Sequence, residues 1–344
     1  MEKVRFGKTE LLVSKIALGG IPLERLSVPD AAKLVQDVLK LGVNFIDTAN
    51  SYSDSEAKIG LAIKGVPRES LVIASKSMAK DKKTFAEHID LSLERLGVDY
   101  IDLYQHHHLS SQQAYDAVFG ENGAHEALEE AVKAGKVRFA AFSSHSIPFS
   151  LRIMREGKFA AVQLPFNFVD DMAAKEAIPL AKELDMGFLS MKPMGGGLLS
   201  DAGISFRYLA QFDRIVPNPG IEKLSEMEEI VKIASLGETL SEADKATIEK
   251  IKAELGDRWC HRCDYCAPCP EKIHISMLLN IHSIMKRMPF NRTVSIGAPI
   301  VEYARNCTEC GACVVKCPYD LDIPKLVKEQ LILWDEYMKS HENS

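Results

Sequence analysis

Between about residues 15 and 235, short apolar runs alternate eight times with amphipathic stretches, which leaves few folds open. The runs are IALGG, VNFIDTA, LVIASK, YIDLYQH, KVRFAAFS, AAVQLP, GFLSMKP and RIVP. Each has strand length and composition, and each precedes a segment of helical period. Pro29-Asp30 opens the first helix, with Ala31, Leu34, Val35, Val38 and Leu39 at helical spacing and Gly42 as its stop. Further helices are expected at 55–64, 84–96 (closed by Gly97), 124–134, 148–156, 172–184, 205–211 and 225–234. The polar stretch 109–123 reads as loop, and RFGKTELLV as a hairpin turning at Gly7-Lys8. Eight strand–helix units in about 235 residues fit an α/β fold of the (β/α)8 TIM-barrel kind, whose typical size is about 250. A doubly wound sheet would need a glycine fingerprint after its first strand, which Leu18-Gly19-Gly20-Ile21 does not supply.

All eight cysteines lie beyond that region. Cys307, Cys310, Cys313 and Cys317 read C-x2-C-x2-C-x3-C before Pro318, the bacterial ferredoxin spacing. Cys260, Cys263, Cys266 and Cys269 form a similar run, one residue shorter before its last cysteine. Three closely spaced thiolates can meet three corners of a cubane, and in two-cluster ferredoxins the fourth comes from the other run. Two [4Fe–4S] clusters are therefore expected. One would sit on Cys260, Cys263, Cys266 and Cys317, the other on Cys307, Cys310, Cys313 and Cys269. Disulfides need an oxidising compartment, and MEKVRFGK is no signal peptide. Two C-x2-C pairs could make a zinc site, but two four-cysteine runs that each end in Cys-Pro point to iron–sulfur instead. The segments around the runs have helical period. A second, mainly helical two-cluster ferredoxin-like domain is thus expected over 241–344, after a barrel over 1–240.

The 344-residue chain is 46% hydrophobic with a formal net charge of −6, which argues against nucleic acid as a partner. No apolar run is long enough to cross a membrane. A soluble, cytoplasmic protein is expected.

Barrel chemistry sits at the C-terminal ends of strands. Those ends carry Asp47 after the second strand, Lys76 after the third and His107 after the fourth, with Tyr52 in the loop following Asp47. A neighbouring ammonium stabilises a phenolate and makes a tyrosine a usable acid. A carboxylate anchors the ammonium, and a histidine can orient a substrate carbonyl while the tyrosine donates its proton. Singly, Asp47 could be a helix cap, Lys76 a solvated charge and Tyr52 a loop aromatic.

VNFIDTANSY, VIASKS and IDLYQHHH resemble the motifs of the aldo-keto reductases, and the cysteine-rich tail resembles the subgroup with a C-terminal ferredoxin-type domain. The resemblance covers about residues 4–235. It implies an Asp47, Tyr52, Lys76 and His107 tetrad, with His106 and His108 as structural or supporting residues. It implies that Ser143, with Ser144 in place of the usual Asn, and Gln163 hold the nicotinamide carboxamide. Met191 stands where the family stacks a tyrosine on the ring. Gly195, Gly196 and Gly197 would approach the pyrophosphate. PNPGIEKLSEMEEI, with Gly220, resembles the loop at the adenosine end, where Glu222, Glu226 and Ile230 replace a basic residue, Gln and Asn. NADPH or NADH is the expected cofactor, and a small carbonyl or alcohol the expected substrate. Hydride moves two electrons and a [4Fe–4S] cluster moves one. An intermediary such as a flavin would therefore be needed between them, although no motif for one is visible. A redox partner protein, a ferredoxin or a flavoprotein, fits the same need. The expected function is a nicotinamide-dependent oxidoreductase coupled to two clusters. The alternative is an electron-carrier or nicotinamide-sensing protein with a catalytically silent barrel.

Overall fold

The computed structural model describes residues 1–256, 258–262, 265–317 and 319–341, with nothing said of the Arg287 side chain. Cys263 and Pro318 therefore lie outside the described residues. The chain divides into two compact units, Met1–Gly195 with Leu199–Leu240, and Gly196–Leu198 with Ser241–Ser344.

The first unit is a TIM barrel. Strands β1 (Lys3–Arg5) and β2 (Leu12–Ser14) pair antiparallel around a short turn at Gly7–Thr9. The barrel strands follow: β3 (Leu18–Gly19), β4 (Phe45–Asp47), β5 (Val72–Ser77), β6 (Ile101–His106), β7 (Val137–Ser143), β8 (Ala161–Pro165), β9 (Gly187–Met191) and β10 (Ile215–Pro217). They pair in sequence order as one parallel sheet. The ends meet where the Ala17 N–H donates to the Pro217 carbonyl and the Gly19 N–H to that of Pro219, both at 2.8 Å. Gly220 serves this closure: a Cβ there would lie 2.6 Å from the Pro22 ring.

The surrounding helices are α1 (Val28–Lys40), α2 (Ser55–Ala62), α3 (Lys82–Leu96), α4 (Gln112–Phe119), α5 (Ala124–Lys133), α6 (Ile147–Arg155), α7 (Met172–Lys175), α8 (Ala177–Glu183), α9 (Ala202–Leu209) and α10 (Leu224–Leu236). Two depart from expectation. The stretch 109–123 is not all loop, because α4 forms there, capped by the Ser111 hydroxyl and burying Val118. The single helix expected over 172–184 is two, broken at Glu176. Pro179 has no N–H and would clash with the carbonyl four residues back in a continuous helix. The break puts it in the first turn of α8, where neither problem arises.

Strand alternation builds the site floor. Phe45, Ala74, Leu103, Ala141, Ala161, Leu189 and Val216 belong to the apolar cluster packed with Phe6 and Val13 of the hairpin region. Successive side chains point to opposite faces. Two residues further along each strand direction, toward the C-terminal mouth, the same face therefore carries Asp47, Lys76, Gln105, Ser143, Gln163, Met191 and Asn218. An apolar layer thus gives way to a polar one.

The second unit contains α11 (Glu242–Leu255), α12 (Ile275–Leu278), α13 (Ile281–Arg287), α14 (Phe290–Ala304) and α15 (Ile323–His341). Ser241 caps α11 by accepting from the Asp244 N–H. The stretch 272–288 is helical in two pieces, α12 and α13, and α14 begins well before Pro299, which lies inside it. The core of this unit gathers Leu278, Ile281, Val301, Ile323, Leu326 and Trp334.

Candidate active site

Asp47 and Lys76 are both 2% exposed and lie side by side on β4 and β5. The Lys76 ammonium donates to both Asp47 oxygens at 2.8 Å and to the Thr48 carbonyl at 2.7 Å. Burial alone would push this ammonium down. The Asp47 carboxylate and the Tyr52 oxygen outweigh that effect and hold it above its ordinary value, so Lys76 stays charged. Its nitrogen lies 5.1 Å from the centre of the Tyr52 ring.

Tyr52 is placed by a tight turn after β4. Its N–H donates to the Ala49 carbonyl at 2.9 Å, and its own carbonyl accepts from the Ser55 N–H at 2.8 Å, at the start of α2. The His107 ring meets the Tyr52 ring edge-on with centroids 5.8 Å apart. The backbone N–H of His107 donates to the Ser77 carbonyl at 2.9 Å, which holds its main chain against the end of β5. The four residues singled out by their strand-end positions are therefore brought together at one barrel mouth. His106 points the other way. Its Nε2 is 3.2 Å from Nδ1 of His125, its ring packs 4.8 Å from that of Phe85, and burial drives it well below the ordinary histidine value.

Two residues escaped the reading of the sequence. Gln105 and Asn218 donate to Asp47 at 3.2 and 2.9 Å. Their signal was available: each lies two residues beyond an apolar inward position, Leu103 and Val216, on the face that carries the site.

The expected cofactor residues divide. The Gln163 amide donates to Asp47 at 2.9 Å, while its Oε1 is buried with no hydrogen-bond partner among the described residues. An orphaned acceptor at that position fits the amide of a nicotinamide carboxamide. Ser143 is buried, and its hydroxyl accepts from the His108 N–H at 3.1 Å. Ser144 bonds to Ser110 at 3.1 Å. Met191 ends β9, half-buried, on the inward face. Gly195 and Gly196 have left-handed φ values of 58° and 73°, and the Gly195 N–H is engaged by the Lys192 carbonyl at 2.9 Å. At the far loop, the Glu226 carboxylate caps α10 by accepting from the Glu222 and Lys223 N–H groups at 2.9 and 3.2 Å. Glu222 itself forms an ion pair with Arg25.

In the second unit, Cys269, Cys307, Cys310 and Cys313 line one pocket, together with Ile273, Ile323 and other residues. Burial pushes the Cys313 thiol up, and the neighbouring Cys269 and Cys307 push it the same way. Cys260, Cys266 and Cys317 pack on the same apolar core. Among the described residues, no three His, Cys, Asp or Glu side chains converge closely enough for a single ion. Thiolates spaced around a cavity suit an iron–sulfur cubane better than one tetrahedral ion, whose four sulfurs stand about 2.3 Å from a common centre.

Residues 15–205 match the profile of the Aldo/keto reductase family. The chain belongs to that family. Residues 259–322 of this aldo/keto reductase match a "4Fe-4S dicluster domain". The reductase is 27% identical over 222 residues to "Probable aldo-keto reductase 1" from Glycine max, covering 59% of this chain and 62% of that one. It is 26% identical over 232 residues to the "NADH-specific methylglyoxal reductase" of Escherichia coli strain K12, covering 58% and 69%. The chain thus spans about two thirds of the length of these curated relatives. Among solved structures, an aldo-keto reductase from Bacillus halodurans in its holo form superposes with a TM-score of 0.62. It is 22% identical and is covered over 73% of this chain and 96% of its own. An aldo-keto reductase from Klebsiella pneumoniae in complex with NADPH gives 0.61 at 19% identity, covering 73% and 94%. These likenesses establish the barrel fold. No helix among the described residues is long and apolar enough to cross a membrane.

Proposed function

We propose that this reductase reduces an aldehyde or ketone, or oxidises the corresponding alcohol, at the mouth of its barrel with a nicotinamide cofactor. The observation that carries this is Tyr52 held between the buried Lys76–Asp47 pair and the His107 ring. A bound reduced nicotinamide supplies a hydride to the carbonyl carbon. Tyr52 gives its phenolic proton to the carbonyl oxygen, where the displaced electron pair collects. Lys76 stabilises the phenolate left behind, and Asp47, with three amide donors around it, keeps Lys76 in place. His107 donates a hydrogen bond that orients the carbonyl. Solvent returns the proton to Tyr52.

Ser143 and the free Gln163 acceptor suit the carboxamide, Met191 the ring, and Gly195 with Gly196 the pyrophosphate. At the adenosine end Gly220 and Glu226 serve the backbone: one allows strand closure, the other caps α10. The Arg25–Glu222 pair leaves no single strong charge to select a 2′-phosphate, so NADH and NADPH should both serve. One curated relative is named for NADH and one solved neighbour was crystallised with NADPH, in keeping with a family that uses either. Catalytic efficiencies within about tenfold of each other would support this, and a preference of roughly a thousandfold for NADPH would refute it.

Residues 1–240 and 241–344 are the working domains in this reading. The second carries two [4Fe–4S] clusters with exchanged ligands, supported by Cys269 joining Cys307, Cys310 and Cys313 around one cavity. Their role is one-electron transfer to or from a partner such as a ferredoxin or flavoprotein. Protein purified without oxygen, analysed for iron, sulfide, flavin and nicotinamide and assayed with NADH or NADPH on a carbonyl panel, tests the whole reading. Turnover with bound iron supports it. Full clusters with no turnover on any carbonyl would instead favour the silent, nicotinamide-sensing barrel.

A further inference from the structure

The barrel mouth holds a cation that the tetrad does not use. Lys80 is half-buried in the connection between β5 and α3. No carboxylate among the described residues is within ion-pair distance of it. Its ammonium donates to the His107 carbonyl at 3.5 Å. Burial, with no opposing charge, lowers this ammonium from its ordinary value. A charge removed from water without a partner is costly and is seldom kept without a use.

The backbone beneath it is pinned. The Lys80 carbonyl accepts from the Ala124 N–H at 2.8 Å, and Asp81 bridges to Gly123. The adjacent Asp81 carboxylate is turned away, accepting from the Thr84 N–H at 2.9 Å as the cap of α3. The acid nearest in sequence is thus engaged elsewhere.

Beside Lys80 lies His108, in a left-handed conformation with φ of 61°. Its ring is 5.1 Å from that of His145. Burial first, then the positive charges of Lys80 and Lys192, push His108 down to about 4, so it is neutral near pH 7. The backbone peptide joining His107 to His108 links this group to the ring that faces Tyr52.

We propose that Lys80, whose ammonium reaches the His107 carbonyl, anchors an anion-binding subsite beside the Tyr52 and His107 site, and that the substrate is a carbonyl compound bearing a carboxylate or a phosphate. The anion replaces the missing counter-charge of Lys80 and turns the carbonyl toward Tyr52. This rests on the reading of Tyr52 and His107 as the carbonyl site. The chemistry is the hydride and proton transfer already given. The anionic group takes no part in it and only positions the substrate.

The test compares matched substrates on the anaerobically purified full chain: succinic semialdehyde against its methyl ester, and dihydroxyacetone phosphate against dihydroxyacetone. The wild-type protein should favour the charged member of at least one pair. Which pair shows the preference separates a carboxylate from a phosphate. In Lys80→Gln that preference, as a ratio of kcat/KM values, should fall by about tenfold to a hundredfold, as expected for losing a charged hydrogen bond, with the change mainly in KM. Lys80→Arg should restore most of it.

A second measurement needs no turnover. Calorimetric titration with succinate and with inorganic phosphate should show binding of one of them to the wild type and at least tenfold weaker binding to Lys80→Gln. This separates the two ideas: anion binding without carbonyl turnover would defeat the reductase reading and leave the subsite standing. Equal efficiency on charged and neutral partners, or a Lys80→Gln defect confined to the KM of NADPH, would overturn the subsite.

Discussion

The two halves of this protein satisfy their reactive side chains in opposite ways. In the barrel, Asp47 and Lys76 find their partners within the protein: each other, a backbone carbonyl, and the amides of Gln105, Gln163 and Asn218. In the second unit, four thiols line one pocket among apolar neighbours such as Ile273, Ile323 and Val327. The barrel can assemble its charge network before any cofactor arrives. The cysteine unit draws part of its folding free energy from what it binds, as metal-dependent domains do. A site completed by its own side chains should fail locally when altered, whereas one completed by a cluster should fail as a unit.

That contrast can be broken in four places. Tyr52→Phe removes the phenolic hydroxyl, the proposed proton donor and a neighbour of the Lys76 ammonium. Its kcat should fall by about 10²–10⁴, the usual worth of a general acid, while the visible absorbance of the clusters is unchanged. Retained turnover would dissolve the tetrad assignment. Lys76→Met leaves the Asp47 carboxylate buried beside an apolar chain. The barrel should lose about 3–5 kcal/mol in urea unfolding followed by circular dichroism, and a loss under 1 kcal/mol would mean the pair is not buried as described. Cys269→Ala should cost roughly half the iron and sulfide, with the loss at the cluster held by Cys307, Cys310 and Cys313. Damage instead to the Cys260 and Cys266 cluster would show that each run ligates its own cubane.

The smallest effect concerns acid. His108 has its folded value near 4, below the ordinary value of about 6.5 that applies when the chain unfolds. Between those limits the unfolded chain binds the extra proton, so stability present above pH 6.5 drains away as the pH falls toward 4. His106, also driven down by burial, adds to the same slope. His108→Asn keeps a residue tolerant of positive φ and should shallow the slope of unfolding free energy between pH 6.5 and 5. Identical slopes in the two proteins would show that His108 is solvated in the folded state.

The grouping of Asp47, Lys76 and His107 was legible because they stand where apolar runs end, and strand ends are where a barrel exposes chemistry. Gln105 and Asn218 stand at equivalent ends and were passed over because an amide does not announce a function by its type. Only the step of two from the apolar layer reveals them. Helix α4 was missed because it is short and mostly polar, held by one cap and by Val118 and Phe119. The break at Glu176 was written in Pro179, but a proline three residues past a break resembles one inside a kinked helix. At the adenosine end, Glu222 reads as a lone repulsive charge in one dimension. Its pairing with Arg25, 197 residues away, exists only once the barrel closes.

Asp47 receives donors from β5, β6 and β8 and from Asn218, just past β10. The most distant of these groups lies 171 residues along the chain from Asp47, and they converge only when first and last strands have met. A chain trapped with one strand out of register would hold Tyr52 without a correctly seated ammonium beside it. Turnover therefore doubles as quality control: each molecule able to transfer a proton has completed its ring of strands. Specific activity could count correctly finished barrels in a preparation where spectroscopy sees only average helix and sheet.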